Sequence, residues 1–161
     1  MTMSSAAVAA SLAQETGEAW ITLLSIAHPD LATMPEIGGT IRFAHHPVDI
    51  VSRGATYRAA YFEVSLPDDA EEVPRVTLRV ENVDRLIADA LRAIASAPTV
   101  TLEVVLGSTP DVIEAGPYEL TLRRVDVDAV FVEGELVYDD MLNEPYPGDS
   151  FTPDKYPGLF P

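Results

Sequence analysis

The residues able to do chemistry in this 161-residue chain are carboxylates and three histidines. The carboxylates recur in pairs: Asp68-Asp69, Glu71-Glu72, Asp126 with Asp128, and Asp139-Asp140. A glycosidase flanks its scissile bond with two carboxyl groups about 5 to 10 Å apart, and Asp126 and Asp128, two positions apart on a strand, would share a face at admissible spacing. Trp20 is the only Trp, so no cluster of sugar-binding aromatics accompanies them, and a solvated face of an acidic β protein is the favoured reading. His45 and His46 are adjacent, and on extended backbone they point to opposite faces, which is poor geometry for a shared metal. Neither an HExxH nor a GxSxG motif occurs, and Gly38-Gly39 lacks the Lys and Ser or Thr of a phosphate loop. The absence of cysteine excludes disulfides, thiolate metal sites and iron-sulfur clusters. The expectation is a non-enzymatic chain with no catalytic, metal-binding or cofactor-binding residues.

Composition points the same way. The 26 acidic and 10 basic residues give a formal charge of -16, which opposes binding to the outside of a nucleic acid or to an anionic membrane, since both require Lys and Arg. Such a charge gives a soluble acidic surface or, more sharply, a channel wall that repels DNA. The first residues lack the basic n-region of a secretory signal, and no run reaches the roughly 18 apolar residues of a membrane span. A soluble protein made in the cytoplasm is expected.

The elements that must position these groups are mostly strands. An Ala-rich helical arm, capped by Ser4 or Ser5, precedes a first strand at Ala19–Ala27. Short extended pieces follow at Ile41–Phe43 and Val48–Val51, and the Arg53-Gly54 turn leads into Thr56–Leu66. The clearest strand is Arg75–Glu81, with Val76, Leu78 and Val80 on one face. Asn82 or Asp84 then caps an amphipathic helix over about 83–97, stopped by Pro98. Thr99–Leu106 alternates again, 107–116 reads as a loop, and Tyr118–Val127 and Ala129–Tyr138 complete the strands. Gly134 in the last of these suggests a bulge or a close approach of backbone. Val76, Leu78, Val80, Leu86, Ile87, Leu91, Val100, Leu102 and Val104 are the expected core. The fold class is α+β, mostly β: a β-sandwich or partial barrel of about seven strands with one flanking helix and an N-terminal helical arm.

Two segments look made for contact. Residues 67–75 form a charged loop bracketed by Pro67 and Pro74 that either blunts a sheet edge or meets a partner. Beyond a domain at 1–140, the arm at 141–161 interleaves five prolines with Tyr146, Phe151, Tyr156, Leu159 and Phe160, so it is extended and needs a surface to cover its aromatics, in cis or in trans. The candidate subunit-interface residues are Asp68, Asp69, Glu71, Glu72, Tyr146, Phe151, Tyr156, Leu159 and Phe160.

Four stretches carry a family resemblance: EAWITLLSIAHPDL at 18–31, IRFAHHPVDIVSRGATYRAAYFEVSLPDD at 41–69, PRVTLRVENVDRLIADALR at 74–92 and YPGLF at 156–160. In them the chain resembles a phage and prophage family of tail-tip proteins of unknown function. More remotely it resembles the N-terminal domain of the minor tail proteins that build the hub of lambda-like siphophages. The resemblance implies a tail-tube-like fold repeated in a ring around the tail axis, as a baseplate component connecting tail tube to hub in the virion. The implied partners are copies of itself, the tail tube or distal tail protein, the hub and the fibres, with DNA only as cargo passing through the lumen. The cysteine-bearing extension of the larger hub proteins has no counterpart here, which leaves trimer and hexamer both open. Two alternatives stand beside this reading. One is a small tail-associated hydrolase using Asp126, Asp128 or the acidic loop, and the other is a host-binding module presenting Tyr146, Tyr156 and Phe160.

Overall fold

The computed structural model describes residues 3–34, 37–65, 76–81, 85–128 and 131–138, with no side-chain description for 85–87. The protein is α+β and mostly β. Helix α1 (Ser5–Leu12) is followed by β1 (Trp20–Ala27), a 3-10 turn at Pro29–Thr33, β2 (Thr40–Ala44), β3 (Ile50–Ser52), β4 (Ala55–Ala59), β5 (Phe62–Ser65), β6 (Val76–Glu81), α2 (Arg85–Ala93), β7 (Thr99–Leu106), β8 (Thr109–Val127) and β9 (Phe131–Val137). The strands form one mixed sheet in the order β3-β4-β2-β1-β7-β8-β9-β6-β5. All neighbours are antiparallel except β2 and β4, which run parallel at Phe43↔Arg58 and Ala44↔Ala59.

The two ends of this order are joined in sequence. β4 and β5 are successive parts of one extended segment separated only by Ala60 and Tyr61. Ala60 N–H donates to Ala44 O at 3.0 Å, and Glu81 N–H donates to Tyr61 O at 3.0 Å, so this segment leaves β2 and reaches β6 within two residues. The sheet therefore curls back on itself as a nearly closed barrel. About seven strands were expected; nine are described, because the segment expected at Thr56–Leu66 divides at this crossing into β4 and β5, and the short extended piece expected at Val48–Val51 forms a strand of its own, β3, at the end of the order.

The barrel interior is filled. Leu24, Ile26, Ile41, Phe43, Ala60, Phe62, Leu78, Val80, Val100, Leu120, Leu122, Val132 and Leu136 point into one core, closed over by Leu31 of the 3-10 turn and by Ala90 and Leu91 of α2. A cavity of about 10 Å³ within it has room for about one water. His28 ties the two covering connections together: its imidazole meets Ser96 Oγ at 2.6 Å and accepts from Asp30 N–H at 3.1 Å.

Several expectations need correction. The helix ends at Ala93 rather than 97, and residues 107–116 are not a loop: only Gly107 and Ser108 turn, and β8 runs on from Thr109 through Pro110 and the cis Gly116-Pro117 bond. Register shifts between Leu102 and Leu106 absorb these prolines by breaking the regular ladder. Val76, Leu102 and Val104 are only partly buried, whereas Val105, on the opposite face of β7, is fully buried. The reason is a second, smaller core on the outer face, where Ile21, Leu23, Ala44, Tyr57 and Val105 lie beneath the β3–β4 hairpin. The side chains of Leu86 and Ile87 lie outside the described residues.

Gly134 allows a close approach, as expected, but the bulge lies on its partner strand. Arg124 adopts φ 50° where the β8–β9 register slips between Arg123 and Val125. A Cβ on Gly134 would stand 2.5 Å from Leu122 Cδ1.

Candidate assembly surface

The antiparallel ladder dictates which backbone groups a strand can offer a neighbour. Residues of a hydrogen-bonded pair turn both N–H and C=O toward each other, and the intervening residues turn theirs away. Tyr61 bonds Glu81, and Glu63 and Ser65 stand opposite Arg79 and Thr77 in the same phase. Phe62 and Val64 therefore direct their backbone groups away from β6, toward an edge that no further strand covers among the described residues. At Phe62 that edge is met by a side chain: His45 Nδ1–H donates to Phe62 O at 2.8 Å. The His45 ring is held between Tyr61, at 5.2 Å, and Phe62, edge-on at 5.3 Å. Where β2 ends and β5 diverges, the seam opens into a cleft of about 500 Å³ lined by His45, His46, Pro47, Ala59, Ala60, Tyr61 and Glu81.

β3, the other end of the order, belongs to a hairpin closed by Arg53 (φ 50°) and Gly54 (φ 77°). Two positive φ values in a two-residue loop are the type I′ arrangement, whose twist matches that of paired strands. The hairpin is pinned from both sides. Ser52 Oγ–H donates to Pro110 O at 2.7 Å, Arg53 N–H donates to Asp111 Oδ1 at 2.5 Å, and the Arg53 guanidinium pairs with Glu103 while reaching Tyr57 Oη at 3.3 Å. The hydrogen bond to Glu103, ahead of the Tyr57 contact, holds the Arg53 pKa above its ordinary value. Val51, one residue before these anchors, is 60% exposed.

The outer wall between the edges carries a cross-strand row, Glu63, Arg79, Glu133 and Asp126 on β5, β6, β9 and β8. The Arg79 guanidinium also lies 3.8 Å from the centre of the Phe131 ring. Like charges meet directly at Glu133 and Asp126, so the row has an acidic excess rather than a balance.

The structure places Asp126 and Asp128, singled out from sequence, at exposed positions. Asp126 ends up opposite Glu133, in a shallow cleft of about 190 Å³ lined by Thr77, Arg124, Asp126, Glu133, Gly134 and Glu135. No apolar wall surrounds it to desolvate an acid, and Arg124 stands 4.0 Å from Glu135. Asp128 lies just past β8, where its N–H donates to Phe131 O in the β8–β9 turn. The histidines have separate partners: His28 reaches Ser96, His45 reaches Phe62, and His46 reaches the backbone of Val48. Among the described residues no three His, Asp or Glu side chains are grouped to hold a metal ion. All nine candidate interface residues, Asp68, Asp69, Glu71, Glu72, Tyr146, Phe151, Tyr156, Leu159 and Phe160, lie outside the described residues.

Sequence reading missed the β5 edge, although the alternation of Phe62 and Val64 with Glu63 and Ser65 carries its phase. It also missed Glu114, a carboxylate buried to 2% exposure that accepts from Ser4 N–H at 2.8 Å and from Ser4 Oγ–H at 2.6 Å.

Fold and surface together define a filled, nearly closed β-barrel protein whose most distinctive features are strand edges rather than an interior pocket. The chain belongs to a family described as a domain of unknown function, DUF1833, whose model matches residues 6–151. No curated protein matches it. No described helix is long and apolar enough to cross a membrane.

Proposed function

We propose that this protein is a non-enzymatic structural component of a phage or prophage tail tip, acting by assembly into a ring around the DNA channel. The observation that carries the assembly reading is the sheet order, which ends on two different strands, β3 and β5, with the backbone of Val64 directed to the open edge. Contact between two different surfaces is head-to-tail, and a head-to-tail contact closes into a ring when its rotation permits. The acidic excess in the row across β5, β6, β9 and β8 suits a wall past which DNA must slide without sticking. The segments 66–75 and 139–161 add nine acidic residues against two basic ones. The tail-tip assignment, its placement in the virion and its tail-tube, hub and fibre partners rest on the sequence resemblance.

Replacing Val64 by Pro tests the edge. Proline removes the outward N–H while leaving the Tyr61, Glu63 and Ser65 ladder to β6 in place, and edge strands tolerate it. The expected result is a folded protein, with unchanged far-ultraviolet circular dichroism, that sediments as a monomer where the native chain sediments as a closed oligomer. Unaltered oligomers from Val64→Pro would show that this edge does not join subunits.

A further inference from the structure

Helix α1 is attached to the barrel by a small and specific contact. Ser4 is its N-cap: its Oγ accepts from Ala7 N–H at 3.1 Å while donating to Glu114. Ala7 is fully buried, whereas Val8 and Leu12, one turn apart, are exposed at 42% and 79%. Among the described residues, the arm is thus held by one buried carboxylate and one small apolar contact, and it presents aliphatic side chains outward.

The connection to β1 behaves as a hinge should. Residues 13–17 are all exposed and outside regular structure, and a Cβ on Gly17 would meet nothing within 4 Å. The chain is fixed again at Glu18, which accepts from Ser108 N–H at 2.9 Å. Five extended residues reach at most about 18 Å, so the hinge can redirect the arm without disturbing the Glu18 anchor.

We propose that α1 is an exchangeable arm, and that the Ser4–Glu114 latch seats the arm of a neighbouring copy on the same site that holds it in its own chain. The exchanged contact has the same residues and the same bonds as the internal one, so exchange costs no latch energy. It exposes no new surface and leaves Val8 and Leu12 facing outward as they do in the internal arrangement. Glu114 selects the occupant: a buried carboxylate without its donors is strongly unfavourable, so the site requires a paired N–H and hydroxyl such as a Ser N-cap supplies. The inference deepens the ring reading and rests on it for the presence of a neighbouring copy.

Shortening the hinge tests this directly. Deleting residues 14–17 removes about 14 Å of reach, which disfavours return of the arm to its own barrel. The shortened chain should at least double in mass by light scattering, and Glu114→Ala in the same chain should return it to a monomer. A monomeric shortened chain, or an oligomer that survives Glu114→Ala, would overturn the proposal. Native chains that form rings insensitive to Glu114→Ala would remove the arm exchange and leave the ring reading intact. A native chain that stays monomeric while the shortened chain swaps through Glu114 would overturn the exchange in the native protein together with the ring reading.

Discussion

Gly134→Ala should destabilise the barrel through one identifiable overlap. The added Cβ would sit 2.5 Å from Leu122 Cδ1 and 3.4 Å from its Cγ, whereas carbon atoms in contact prefer about 3.5 to 4.0 Å. Leu122 is 3% exposed and packed in the main core, so it cannot turn out to solvent, and relief must come from repacking or from parting β8 from β9. Overpacking of this kind costs about 1 to 3 kcal/mol, against which the less flexible unfolded chain returns about 0.4 to 1 kcal/mol. The net loss of about 0 to 2.6 kcal/mol corresponds to at most roughly 10 °C in Tm for a domain of this size. Urea and thermal unfolding followed by circular dichroism measure it, and a second background isolates the cause. In Leu122→Ala, itself about 2 to 5 kcal/mol less stable, the overlap disappears, so Gly134→Ala should become neutral or mildly stabilising and the two changes should couple by about 1 kcal/mol or more. Equal penalties in both backgrounds would refute the packing argument.

Other outcomes follow from the same geometry. Arg53→Asn keeps a residue that tolerates positive φ but strands the largely buried Glu103, so it should cost about 1 to 3 kcal/mol in chemical denaturation; Glu103→Gln in addition should recover part of that loss. His28→Ala breaks the tie between the 3-10 turn and Ser96, and hydrogen exchange should quicken at 29–34 and 93–97 before it changes in β1 or β7. The Ser108 backbone N–H holds the Glu18 carboxyl below its ordinary 4.5. Its contribution is therefore present above that value and fades as pH falls through the lower folded value, so Glu18→Gln should slightly lower stability at neutral pH and flatten the acid limb, with the difference vanishing below the folded value. Asp126→Asn should leave ring formation unaffected and should abolish activity on glycan or peptide substrates only if the hydrolase alternative holds.

β6 was legible because period-2 alternation encodes its buried face, and β1, buried on both faces, was legible from its run of β-branched and aromatic residues; both fell within a residue of their observed limits. β7 has the expected ends but not the expected burial, because the β3–β4 hairpin buries Val105 from the other side. That cover is a tertiary event, fixed by Ser52, Arg53 and Tyr57 reaching partners up to 58 positions away. β8 was misread because Pro110, Gly116 and Pro117 are turn residues by local chemistry, yet here they occupy irregular ladder positions. The two-residue Gly107-Ser108 hairpin signal was present in the sequence and was outweighed by those prolines. The Glu114 latch joins residues 110 positions apart, and nothing in local sequence distinguishes that carboxylate from the solvated ones around it.

The mass of the native chain in solution, measured by light scattering across a concentration series, tests the central claim most directly. A closed oligomer at a fixed multiple of 17.4 kDa, reduced to a monomer by Val64→Pro, is the predicted result. A mass of 17.4 kDa at every concentration would contradict assembly through the sheet edges.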